Sequence, residues 1–302
     1  MPEKKKKLES GKPSKTAQFM ALFRALESTY PRERRLFEDP LAMRFLSPAL
    51  SCVVHTSKIA FLRRGAVRLL DTFWTGARAS GIARTRLIDD FLLDGIAAGC
   101  TQVVLLGAGY DSRAYRLDEL KRLRVFEVDH PSTLRMKQAK LQKMRTERGH
   151  VAYAQIDFLS QSLDQVLETA GFDKTIPAFF IWEGVTNYLS ESSVRQTLEY
   201  IGALAPGTRL AFTYVHRDAI DSPAENVKTG VSKLLKKQGE PWTYGILPEA
   251  LPSLLRGHNL QLLEDTGSAA YRKRYLYSKG THLEGYEFYR AALAVTNNTE
   301  DA

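Results

Sequence analysis

Four carboxylates and two glycines stand where a nucleotide pocket needs them. Gly107 and Gly109 lie one residue apart, with Ala108 between them, directly after the apolar run Val103–Leu106. A short apolar run ended by glycine reads as a buried parallel strand. The glycines let the backbone turn sharply and pass close to a ligand. Asp111 or Ser112 can cap the helix that follows, whose N-terminus carries partial positive charge. Asp129 ends a second run about twenty residues on, where an acid can accept both ribose hydroxyls. Glu127, two residues earlier on the same strand face, is the alternative. Asp157 ends a third run and can accept from an exocyclic adenine amine, with Phe158 beside the ring. Glu183 ends a fourth. Taken singly, an acid at a strand end is more often a turn residue or helix cap. In an open α/β sheet, however, ligands bind outside the carboxyl ends of the strands, so the acids share one crevice.

The glycine spacing excludes two ligand classes. Ser112 occupies the last position of Gly-x-Gly-x-x-Gly, so the dinucleotide fingerprint fails. The phosphate loop Gly-x-x-x-x-Gly-Lys-Ser/Thr is absent. An acid in a turn with few glycines suits a carboxylate and an ammonium better than a row of phosphates. Ribose, adenine and a cationic methionine tail meet that description, and the pattern fits S-adenosyl-L-methionine.

The elements that position these residues follow from periodicity. Before the first strand the spacing predicts helices over Thr16–Thr29, Leu36–Leu46, Val53–Trp74 (one or two) and Ile82–Ala98. In the last of these Ile82, Leu87, Ile88, Phe91 and Leu92 face inward. Strands are then predicted at Val103–Leu106, Arg124–Val128, Val151–Ile156, Ala178–Trp182 and Arg209–Val215. Helices alternate with them at Ser112–Leu120, Ser132–Thr146, Gln161–Ala170 and Glu191–Leu204, the last capped by Ser190. Such alternation argues for a doubly wound parallel sheet. An irregular insert follows, with a basic helical piece at Val231–Lys237. Then come a helix at Pro248–Arg256, a strand at Leu260–Asp265, a Tyr-rich loop over 267–283 and a last strand at Tyr286–Val295. The expected organisation is a disordered basic tail (1–15) and a single domain (16–302). That domain divides into a helical cap (16–100), a core (101–215), a lid insert (216–247) and a C-terminal part of the core (248–295).

Composition sets the class. The 302 residues are 44% hydrophobic and 25% charged, as in an ordinary globular protein. No apolar run approaches the ~18 residues of a membrane span, and the lysine-rich start lacks the apolar stretch of a signal peptide. No membrane partner is therefore expected. Cys52 and Cys100 match no metal motif, so no metal is expected, and two thiols suit a reducing cytoplasm. The net charge of +9 is partly in the tail, at Lys4 to Lys7, Lys12 and Lys15. Such a tail can touch nucleic acid. The preferred reading is a solvated, disordered terminus that aids solubility, and no RNA-binding signature accompanies it.

Three segments carry a family resemblance. Leu-Gly-Ala-Gly-Tyr-Asp-Ser-Arg-Ala-Tyr-Arg-Leu (106–117), Phe-Glu-Val-Asp-His-Pro (126–131) and Glu-Gly-Val-Thr-Asn-Tyr-Leu (183–189) resemble the leucine carboxyl methyltransferase family. The branch most similar is the bacterial one, which includes carboxyl methyltransferases of polyketides. Thr16-Ala17, Arg24-Ala25-Leu26-Glu27 and Asp39-Pro40-Leu41-Ala42 also look like that branch. The resemblance spans roughly 14–295. It implies a Rossmann-like class I methyltransferase sheet with an N-terminal helical cap and an insert after the fifth strand.

The resemblance also implies roles. Gly107, Ala108 and Gly109 pass under the methionine part of the cofactor, beside Asp111. Asp129 takes the ribose, Asp157 and Phe158 the adenine, and Glu183 the amino end. Arg84, in Ile82-Ala-Arg-Thr-Arg, matches the family arginine that grips the methionine carboxylate or orients the site, and Lys15 matches an N-terminal contact. Ser112 and Phe158 depart from the usual threonine and leucine. A carboxylate acceptor needs no general base, so catalysis is positioning and desolvation. Arg84, Arg86, Tyr188 or Arg217 can hold it. A hydroxyl acceptor would call on His216 or His130, and Trp242 and Tyr244 either stack on the acceptor or pack under the insert. The expected activity is O-methylation of a small-molecule carboxylate. The alternatives are a macromolecular acceptor (tRNA or a protein C-terminus) and a non-catalytic module that binds the cofactor.

Overall fold

The computed structural model describes residues 15–74, 76–142, 149–157, 161–221, 242–276 and 288–297. The apolar runs pair as the sequence requires. Strands β1 (Gln102–Leu106), β2 (Arg124–Asp129), β3 (Val151–Gln155), β4 (Ala178–Trp182) and β5 (Arg209–Val215) are parallel. β6 (Leu260–Gly267) and β7 (Tyr289–Thr296) complete one seven-stranded sheet in the order β3-β2-β1-β4-β5-β7-β6. β7 runs antiparallel to both neighbours, so the sheet is mixed at this edge. The chain goes outward from β1 through β2 to β3, then returns to place β4 on the other side of β1. The crevice between the ends of β1 and β4 is therefore a topological switch point, where open α/β sheets bind ligands.

Alternate residues of β1 serve two cores. Val103 and Leu105 join the N-terminal helices and α4 on one face, whereas Val104 and Leu106 join the opposite layer. The helices are α1 (Lys15–Glu27), α2 (Pro48–Thr56), α3 (Ala60–Phe73), α4 (Ala77–Ala97), α5 (Arg113–Arg116), α6 (Pro131–Gln142), α7 (Leu163–Thr169), α8 (Glu191–Gly202), α9 (Asp218–Asp221), α10 (Leu251–Arg256) and α11 (Ser268–Leu276). The inward residues expected in α4 are all buried. Ser190 caps α8 as expected, accepting from Ser193 N.

Three regions differ from expectation. Over 36–46 there is only a 3-10 turn, Ala42–Phe45. Asp39 accepts from the amides of Leu41 and Ala42 at 3.1 and 2.9 Å, and this side-chain cap before the turn competes with a longer helix. The stretch 53–74 resolves into α2, opened by the Ser47 cap and Pro48, and α3. The region expected as a loop contains α11. It packs along α4, with Tyr271 buried, Arg272 Nη1 donating to Ser80 Oγ at 3.1 Å and the Tyr275 hydroxyl donating to Asp90 at 2.7 Å. The expected basic tail up to residue 14, the helical piece at 231–237, the ends of α6 beyond 142 and of the last strand before 288, and Phe158 lie outside the described residues.

Candidate cofactor and methyl-transfer site

The glycine loop is shaped by the end of β2. Gly107 N and Ala108 N both donate to Val128 O, at 2.8 and 3.1 Å, and Gly109 N donates to Asp129 Oδ2 at 2.7 Å. Gly107 has φ 70° and Gly109 φ 39°, conformations that favour glycine. A Cβ on Gly107 would stand 2.4 Å from Val185 Cγ2, so the loop lies against the turn that follows β4. All three loop amides are thus spent on β2. A phosphate-binding loop leaves such amides free to face its ligand, and this one does not, which gives a structural reason for the missing dinucleotide fingerprint.

Asp129 also accepts from His130 N at 2.6 Å. Burial pushes its pKa above the ordinary value, against the opposing pull of the Gly109 and His130 amides. A carboxylate offers about four acceptor positions, so room remains for ribose hydroxyls. Glu127, the alternative, is already paired inside the protein. It is wholly buried and lies 2.8 Å from Lys137 Nζ, itself wholly buried under the loop. Asp157 stands partly buried just past β3, its amide donating to Gln161 Oε1 at 3.0 Å. Lys15 opens α1, and its side chain lies outside the described part.

The strongest feature is a network of charges between cap and core. Glu183, just beyond β4, accepts from Arg84 Nε at 2.9 Å and from Arg113 Nη1 at 3.0 Å. Burial opposes its charge, but the Arg113 and Arg84 guanidiniums outweigh that and hold its pKa below the ordinary value. Arg113 Nε donates to Asp89 at 2.7 Å, and Asp89 also takes Arg116 at 2.7 Å. Asp111 turns onto Arg113, accepting from its amide at 2.8 Å and from its guanidinium. Despite burial, the cations of Arg113, Lys137 and Arg24 bring the Asp111 pKa down to about 2. On the cap side Arg24 binds Asp39 (Nε–Oδ2, 2.9 Å) and donates to Tyr110 O at 2.6 Å, while Ser112 Oγ donates to Asp39. The acids Asp39, Asp89, Asp111 and Glu183 thus match the cations Arg24, Arg84, Arg113 and Arg116.

Beside the Arg84–Glu183 pair is an aromatic wall. Arg84 lies over the Tyr289 ring at 5.0 Å, and Trp242 packs edge-on against the same ring at 5.8 Å. Burial, then the neighbouring Tyr188, raise the Tyr289 pKa. Tyr188 itself sits on the 3-10 turn Thr186–Tyr188, half-buried. Tyr244 is buried in the core, the packing reading for that residue, whereas Trp242 reaches the wall. Arg86 pairs with Asp90 and Arg217 with Asp221, each four residues away on its own helix or at its start, so neither joins Arg84. His130 bonds Ser132 at 2.8 Å and His216 Nδ1 accepts from Asp218 N at 3.3 Å, both local turn contacts.

Several site residues had no signal in spacing. Arg113, Arg24 and Asp39 lie within the family-like segments but carried no assigned role. Asp89 and Tyr289 join the site only through the fold. Asn187 is wholly buried, and neither polar atom of its side chain has a hydrogen-bond partner.

The family model described as leucine carboxyl methyltransferase matches residues 17–202. The chain belongs to this family. Relatives agree. A protein of Streptomyces coelicolor, provisionally named an S-adenosyl-L-methionine-dependent methyltransferase, is 38% identical over 224 residues, covering 71% of this chain and 74% of its own. One of Frankia alni with the same provisional name is 35% identical over 213 residues, 68% and 70% of the two chains. In fold, the chain resembles the crystal structure of a provisionally named methyltransferase from Thermobifida fusca. The TM-score is 0.58 at 18% identity, over 96% of this chain and 97% of that one. This member of the leucine carboxyl methyltransferase family is an S-adenosyl-L-methionine-dependent methyltransferase with a Rossmann-like α/β fold.

The residues present fit that cofactor. The switch-point crevice presents an opposed Arg84–Glu183 pair, which suits a zwitterionic methionine tail, and Asp129, whose carboxylate keeps acceptor positions that suit ribose hydroxyls. When bound, S-adenosyl-L-methionine supplies an electrophilic methyl group on a sulfonium.

Proposed function

We propose that this family member methylates a carboxylate oxygen of a small molecule. The observation that carries the reading is the wall formed by Arg84, Glu183, Tyr188, Tyr289 and Trp242. It sets the Tyr188 and Tyr289 phenols beside the Arg84–Glu183 pair, where they can hold an acceptor anion by hydrogen bonding, while His130 and His216, the expected base candidates, are engaged in local turns. A carboxylate is already ionised at neutral pH and attacks without a base, so the chain needs only to hold and desolvate it. Arg84 and Glu183 hold the methionine end of the cofactor, Asp129 the ribose and Asp157 the adenine. Gly107 and Gly109 let the backbone pass close beneath. Tyr188 orients the acceptor from the turn after β4, and burial of the surrounding wall excludes water.

The test is a transfer assay with methyl-labelled cofactor against a panel of small aliphatic and aromatic carboxylic acids, with phenols, tRNA and a peptide bearing a free C-terminus as further arms. The expected product is label that base releases as methanol, since methyl esters hydrolyse and methyl ethers do not. Base-stable label on a phenol, or label on tRNA or peptide alone, would replace the proposed acceptor class.

A further inference from the structure

The described residues expose large apolar side chains mainly in one place. On and just before α3, Phe61 is 73% exposed, Phe73 71%, Leu69 60% and Ile59 59%. Ile59, Leu62, Ala66, Leu69 and Phe73 follow one another at alternating spacings of three and four, which places them in one stripe along the helix. Arg64 and Arg68 are exposed on the other side, with Phe61 beside Arg68, and Lys58 is exposed just before the helix. The stretch 48–74 contains a single acid, Asp71, and it is paired with Arg78 at 2.8 Å. The exposed charge of this face is therefore positive. Such an arrangement, a Phe/Leu stripe with arginines opposite and little overall hydrophobicity, is that of helices that lie in a lipid interface.

We propose that the α2–α3 face docks on an anionic lipid surface. Charge complementarity selects this occupant: the lipid phosphates supply the anions that Lys58, Arg64 and Arg68 lack among the described residues. A second copy of the chain fits less well. A two-fold pairing would set the same cations against one another. The stripe covers only two heptads, and Gly65, Leu70 and Thr72 flank it where a paired helix carries opposite charges. The absence of a long apolar run, on which the expectation of no membrane partner rests, concerns spanning segments, and no helix of the described residues is long and apolar enough to cross. Docking at an interface needs no such helix. The face also adjoins the site wall: Trp74, which ends α3, packs on Phe19 at 4.5 Å, and Met20 accepts from Arg84 at 3.7 Å.

The experiment is co-sedimentation of the full chain with phosphatidylcholine vesicles, with and without about one third phosphatidylglycerol, at about 0.1 M salt. Binding is expected only to the anionic vesicles. Leu69→Ser/Phe73→Ser, at exposed positions that leave the fold intact, is expected to weaken it by more than about tenfold. Arg64→Glu/Arg68→Glu is expected to weaken it and flatten its dependence on salt. No binding by the full chain would overturn the proposal. So would binding undiminished in Leu69→Ser/Phe73→Ser, which would assign it to the lysine-rich N-terminus. A dimer in light scattering that the same substitutions dissociate would overturn it in favour of a second copy.

Discussion

Arg113 touches Asp89, Asp111 and Glu183 at once, and the consequences appear at low pH. The Asp111 pKa falls from 3.8 unfolded to about 2 folded. A depressed carboxylate stabilises the fold fully above its unfolded value, and loses that contribution as pH drops through the folded one. Asp111 therefore contributes about 2 kcal/mol at neutral pH, declining from about pH 4 to about 2. Asp111→Asn should be less stable than the native chain at pH 7, with the two converging near pH 2 in thermal unfolding. A gap that persists at pH 2 would show that Asp111 acts through its turn hydrogen bonds alone. Asp129→Ala should weaken cofactor binding by about 1–3 kcal/mol, because it removes the proposed ribose acceptor and orphans Gly109 N–H. Calorimetry showing native affinity would refute the ribose assignment. Glycines and acids at strand ends were legible because residue type and order suffice to place them. The Arg113 hub was not, since Asp89 lies on α4 and Glu183 beyond β4, and only the fold brings them together.

At the level of elements, the loop after β1 and the turn after β4 interlock. A methyl group on Gly107 meets both a positive φ and Val185 Cγ2 at 2.4 Å. Gly107→Ala should cost about 1–3 kcal/mol of backbone strain plus overpacking. Val185→Ala should restore only the packing part, so the double variant should lie between native and Gly107→Ala in urea unfolding. Full restoration would mean the strain is negligible. The parallel strands were legible because each is an apolar run, four of the five closed by glycine or an acid. α11 was not. Its sequence, Ser-Ala-Ala-Tyr-Arg-Lys-Arg-Tyr-Leu, is polar and has a weak apolar stripe, and its helix is fixed by Tyr271, Arg272 and Tyr275 packing and bonding along α4. Tertiary contact, invisible to local pattern, decides that element.

Across the whole molecule, cap and core are joined by buried polar contacts as well as apolar packing. Asp39, 1% exposed, binds Arg24 of α1 and Ser112 of the glycine-loop segment, while Arg24 reaches Tyr110 O. Alongside, Phe45 stacks on Tyr110 at 4.9 Å. Removing one partner of a buried pair leaves the other charge unpaired, at a cost of about 3–5 kcal/mol. Asp39→Ala orphans Arg24, whereas Ser112→Ala removes one donor to the buried carboxylate and should cost about 1.5–3 kcal/mol. If the clasp sets the loop, Asp39→Ala should raise hydrogen exchange in α1 and in 107–112 together, and cofactor affinity should fall with it. Ser112→Ala should loosen 107–112 with little change in α1. Faster exchange in α1 alone, with native affinity for the cofactor, would show that the cap and the glycine loop are independent.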